Sequence, residues 1–117
     1  MVLTGQDFPM AAGDDVDIQF EINDAQGVDV NLTGGTLDWY MKESADSVTY
    51  IIHKNSGTPA QLELTDPTHG ICVVHLLAAD TQALKGGKYF HGLKLIEQDT
   101  THHYLAEGYI TMSPPLI

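Results

Sequence analysis

Apolar and polar residues alternate with a period of two along most of this chain. Val16, Ile18, Phe20 and Ile22 alternate with Asp15, Asp17, Gln19, Glu21 and Asn23, the pattern of a strand with one dry and one wet face. Leu37, Trp39 and Met41 alternate in the same way with Asp38, Tyr40 and Lys42. Residues 48–53 are β-branched and aromatic, and Leu62 with Leu64 marks a short strand closed by Asp66-Pro67. Further strands are predicted at 28–30, 71–76, 89–96 and 103–112. Turn residues separate them at 23–27, 31–35, 44–47, 54–59 and 97–101. The departure from this rhythm is 79–84, which reads as one short helical turn released by Gly86-Gly87. Pro114-Pro115 ends strand pairing, because proline donates no ladder hydrogen bond. The pattern predicts an all-β protein: an antiparallel sandwich of about seven to nine strands with a helical turn near 79–84. Residues 1–117 read as a single domain, with a short N-terminal segment 1–11 and an apolar, proline-containing tail 112–117.

Alternation also sorts the side chains. Ile18, Phe20, Leu37, Trp39, Cys72, Val74, Leu76, Leu93 and Leu95 form the predicted core. If Cys72, Val74 and Leu76 point inward, Ile71, Val73 and His75 point outward. Phe90 and Ile96 likewise face away from Tyr89, His91, Leu93 and Leu95. Together with Met112, Leu116 and Ile117 of the tail, these left-over groups are the candidate partner interface. The plainer reading is that singly exposed hydrophobic residues are ordinary on any surface.

Charge narrows the classes of partner. The chain holds 16 acidic residues against five lysines and no arginine, a formal net charge of −11. Nucleic-acid backbones and anionic membrane surfaces would repel it, so neither is an expected partner. Ten of the acidic residues fall within 1–46. That distribution suits a solvated face or a surface that meets a basic partner. No run of apolar residues reaches the ~20 needed for a membrane-spanning helix, and the N-terminus does not read as a secretory signal.

Candidate chemistry is sparse. The histidines are His53, His69, His75, His91, His102 and His103, and only the last two are close in sequence, on opposite faces of a strand. No spacing suits zinc, and no metal or cofactor is expected. Asp15 and Asp17 share a strand face and offer at most a weak calcium site. Cys72 lies on the core side of its strand and has no positive neighbour to activate it. No nucleophile or phosphate-binding motif is present, so no catalytic residue is predicted and an enzyme is not expected.

Four segments in order carry a family likeness: Gly13-Asp14-Asp15, Leu32-Thr33-Gly34, the run from Gly70 to Leu84 ending in Asp80-Thr81 and Leu84, and Gly87-Lys88-Tyr89. With these segments the chain resembles, over about residues 12–112, the Ig-like N-terminal domain of phage baseplate upper proteins and related small Ig-like proteins of phage tails. Asn31 stands where that family usually has aspartate. The resemblance implies an Ig-like β-sandwich in which the helical turn carries the chain from one sheet to the other, with Thr81 and Leu84 packed on the sandwich end. It implies a virion structural protein of a tail, baseplate or tail-fibre attachment site. Such a protein would be assembled in the host cytoplasm, with other virion proteins and copies of itself as partners. Two alternatives share the fold: a capsid decoration protein, and a secreted or surface Ig-like ligand-binding module. The lack of a secretory signal and of an exposed aromatic row argues against the latter.

Overall fold

A computed structural model describes residues 6–114. Eight strands follow in chain order: β1 Phe8–Ala11, β2 Val16–Glu21, β3 Thr36–Lys42, β4 Ile52–Asn55, β5 Leu62–Asp66, β6 Ile71–Leu76, β7 Gly87–Ile96 and β8 His102–Ser113. A 3-10 turn, Pro67–His69, precedes β6, and a one-turn helix α1, Ala78–Thr81, follows it. The strands form a five-stranded sheet, β1-β8-β7-β3-β4, packed on a three-stranded sheet, β2-β6-β5. All pairings are antiparallel except β1 with β8, which is parallel. This is an Ig-like sandwich, with the second to eighth strands in the B-C-C′-D-E-F-G arrangement of variable-type domains.

The core follows the alternation. Ile18, Phe20, Leu37, Trp39, Cys72, Val74, Leu76, Leu93 and Leu95 are all buried between the sheets. Burial pushes the Cys72 thiol up to about 12, which leaves it protonated and inert. In immunoglobulin domains a tryptophan on strand C packs against a disulfide between strands B and F, the counterparts of β3, β2 and β7. Here Trp39 packs against His91 of β7, with ring centroids 5.9 Å apart, and His91 in turn faces Phe20 of β2 at 6.0 Å. An aromatic pair thus spans the gap that a disulfide spans elsewhere. The Trp39 indole N–H donates to His91 Nδ1 at 3.2 Å. That fixes the proton on Nε2, which donates to the Gln6 carbonyl at 2.6 Å.

The helical turn makes the crossing between sheets, joining β6 of the smaller sheet to β7 of the larger. Asp80 Oδ2 accepts the Leu77 N–H at 2.8 Å and so caps the turn. The same oxygen accepts from the buried Lys54 ammonium at 2.7 Å, tying α1 to β4. Thr81 is fully buried, and its hydroxyl accepts the Gly13 N–H at 2.9 Å. Leu84 packs on the margin of the core.

Three boundaries differ from the alternation. Residues 8–11 form β1 rather than a loose lead-in, held by the β8 edge and the buried side chain of Met10. Residues 28–30 make a bridge, Asn23 with Asp29, instead of a strand. Within 48–53 only Ile52 and His53 belong to a strand, which continues to Asn55; Val48 and Tyr50 are exposed on the preceding loop. In both cases β-propensity was high, but the backbone makes isolated hydrogen bonds, Val30 N–H to the Ile22 carbonyl and Ile51 N–H to the Met41 carbonyl, rather than a continuous ladder.

Candidate functional site

The structure divides the expected interface. Ile71, Val73 and His75 lie half-buried in a row on the outer face of the three-stranded sheet. Phe90 and Ile96 belong to the outer face of the five-stranded sheet, on the opposite side of the molecule. The two groups therefore cannot form one surface. Met112 also leaves the expected interface: it is buried, because β8 continues through it and turns its side chain inward. Leu116 and Ile117 lie outside the described residues.

On the three-stranded face, charge closes the row. Asp17 stands opposite His75 on β2, and their carboxylate and Nδ1 are 2.7 Å apart. Glu63 of β5 reaches the other ring nitrogen at 3.2 Å. The hydrogen bond to Asp17, then that to Glu63, holds the His75 imidazole above its ordinary pKa. Asp15 is likewise engaged, accepting the Ala78 N–H at 2.7 Å. Both candidate calcium carboxylates thus have structural partners. Among the described residues, no three His, Cys, Asp or Glu side chains are grouped to hold a metal.

The five-stranded face is of another kind. Outward residues of β4, β3, β7 and β8 align as His53, Tyr40, Gly92 and Glu107. A neighbouring row aligns Lys42, Phe90 and Tyr109. Gly92 gives the face its shape. The Tyr40 ring lies over it so closely that an added Cβ would stand 2.9 Å from the hydroxyl and 3.0 Å from the ring. Tyr50 stacks on Tyr40 with centroids 5.2 Å apart. Phe90 and Tyr109 meet edge to face at 5.6 Å. Between Tyr40, Phe90, Tyr104 and Tyr109 runs an open groove of about 540 Å³, with Asp7, Lys42 and Glu107 at its edges. Burial, and after it the neighbouring Tyr104, Tyr50 and Glu107, pushes Tyr40 up to about 12, so its hydroxyl keeps its proton.

Sequence patterning placed Tyr40 outward but missed this assembly. Tyr104 and Tyr109 lie five positions apart, an odd offset, and strict alternation sends them to opposite faces. A bulge resolves this: Leu93 pairs with Ala106 while Lys94 pairs with Tyr104, so both tyrosines emerge on the same side. The aromatic row judged absent is therefore present.

No protein-family model matches the chain, and no curated protein matches its sequence. Solved structures do match. In one, described as "Structural basis of T cell specificity and activation by the bacterial superantigen toxic shock syndrome toxin-1", a chain superposes with a TM-score of 0.54 at 14% identity. The match covers 91% of this chain and 92% of that one. In all, 155 solved chains are similar, which marks a widely used fold and leaves function to the surface of this particular chain. Among the described residues, no helix is long and apolar enough to cross a membrane.

Proposed function

We propose that this chain is a bacteriophage virion structural protein of the tail, baseplate or tail-fibre attachment region. It works through protein contacts with other virion proteins and with copies of itself, and it performs no catalysis. The observation that carries this reading is the cap at one end of the sandwich. Two segments on which the phage-family resemblance rests, Gly13-Asp14-Asp15 and the Asp80-Thr81 turn, are bonded to each other there. Gly13 donates to Thr81, and Ala78 donates to Asp15. Segments far apart in sequence thus form one interlocked unit, which supports treating their shared order as a family trait. We assign assembly contacts to the three-stranded face, where Ile71, Val73 and His75 present a row bordered by acid. The net charge of −11 keeps free copies apart until a partner compensates it.

Mass spectrometry of purified particles, with cryo-electron microscopy to locate the chain, tests the proposal. Stoichiometric presence at the tail supports it; presence on the capsid shell gives the decoration-protein reading instead; absence from particles overturns both. Val73→Asp should lower incorporation, while Tyr104→Ala should leave it unchanged. The second reading, a ligand-binding module, is favoured by the aromatic face.

A further inference from the structure

We infer that the groove over Gly92 on the five-stranded face binds a neutral saccharide chain. The inference does not depend on the virion role. Three aromatic side chains with large exposure, Tyr50 at 53%, Tyr104 at 58% and Tyr109 at 37%, all belong to this face, and Tyr40 and Phe90 lie between them. Tyrosine offers a rigid apolar ring and a hydroxyl that both donates and accepts. A pyranose has the matching character: apolar C–H groups on its faces and hydroxyls around its edge. The groove's polar groups suit those hydroxyls. Glu107 and Asp7 are acceptors, the Lys42 ammonium is a donor, and the Tyr40 hydroxyl keeps its proton. The volume, about 540 Å³, lies within the ~300–1,000 Å³ usual for ligand sites.

Charge selects among occupants. An anionic polymer meets a chain of net charge −11 and two carboxylates at the groove. A cationic segment meets like charge at the rings, because this chain's own ammonium groups stand beside Tyr40 and Tyr109. Lys42 Nζ lies 5.1 Å from the Tyr40 centroid, and Lys88 Nζ lies 4.6 Å from that of Tyr109. A neutral ligand with many hydroxyls is repelled by neither sign of charge, and the most exposed rings, Tyr50 and Tyr104, are open to it. The backbone beneath is fixed: Asp7 Oδ1 accepts the Tyr109 N–H at 2.8 Å, so the groove is largely preformed.

Nuclear magnetic resonance titration of the whole chain with cellohexaose, laminarihexaose, maltoheptaose and chitotetraose tests the inference. At least one should shift the amide resonances of Gly92, Glu107 and Tyr109 and leave those of Val73 and His75 in place. Tyr104→Ala and Tyr109→Ala should each weaken that binding roughly tenfold, and Glu107→Gln should weaken it less. Because Tyr104 stands mostly in water, its variant should unfold at the same temperature as the parent, which separates lost binding from lost fold. Silence with all four oligosaccharides overturns the inference, as does binding that survives the Tyr104→Ala/Tyr109→Ala double substitution. Self-association that disappears in that double variant, with no saccharide response, would make a second copy the occupant and also overturn it.

Discussion

The two outer faces of this sandwich obey the same alternation rule and arrive at opposite surfaces. On the three-stranded sheet each outward position carries a side chain, and the central histidine is held between acids on both flanking strands. On the five-stranded sheet the middle of a row is empty because Gly92 has no side chain, and Tyr40 lies down into the space. One closes its polar groups on themselves; the other opens a groove rimmed by rings. A sheet face can therefore gain a concave site without any loop insertion, from a single missing side chain between larger ones.

The interior supports both faces, and its loss should be the largest effect. Trp39→Ala removes a fully buried ring and the hydrogen bond to His91, and should cost ~3–5 kcal/mol in chemical denaturation. Should the aromatic groove survive that loss as a binding surface, its independence of the core would be established. Gly92→Ala strikes the five-stranded face alone. Its new methyl meets the Tyr40 ring and should cost ~1–3 kcal/mol, with a changed near-ultraviolet tyrosine dichroism as Tyr40 is lifted. An unchanged spectrum would mean that Gly92 does not shape the groove.

Acid should separate the three-stranded face from the interior, through two histidines of opposite sign. His75 has a raised folded pKa, so its stabilisation is fully present below the unfolded value of ~6.5 and is lost as pH rises through the folded one. His91 has a lowered folded pKa because burial disfavours its charged form. Its contribution is full above ~6.5 and is lost as pH falls toward the folded value. Protonation would also set an N–H on Nδ1 against the Trp39 indole N–H. Urea titrations over about pH 5 to 8 should show wild type and His75→Ala diverging as pH falls, and His91→Gln should flatten the acid limb. Parallel curves for all three would remove the histidines from the account. The smallest effect belongs to Tyr104→Ala, which should change stability by less than about 0.5 kcal/mol, since that ring stands mostly in water.

How much of this was legible from the chain depends on the range of the interaction. Inward and outward positions on β2, β3, β6 and β7 were readable, because alternation is local and each strand carries its own record of it. The crossing turn was readable through Thr81, whose packing on the sandwich end the resemblance suggested and the bond from Gly13 explains. The groove was not. It needs β3, β7 and β8 side by side in one register, and a bulge in β8 that reverses the parity of Tyr104. Nothing within a single strand states either fact. The same gap joined Val73 and Phe90 into one imagined interface, although each was assigned outward correctly. His91 was legible as inward, but its bond to the Gln6 carbonyl spans 85 positions and leaves no local trace.

The parallel strand β1 has a consequence for colloidal behaviour. It is only four residues long, and it covers Ile110–Ser113 on one flank of β8, a strand of 12 residues. Without that cover, β8 would offer its backbone donors and acceptors to any extended chain nearby. β1 itself makes a poor template, since it is short and its exposed Pro9 has no N–H to give. Along Ile110–Ser113 a reactive border is thereby exchanged for a blunted one, which makes that end of the strand a poorer site for zipping to a neighbour.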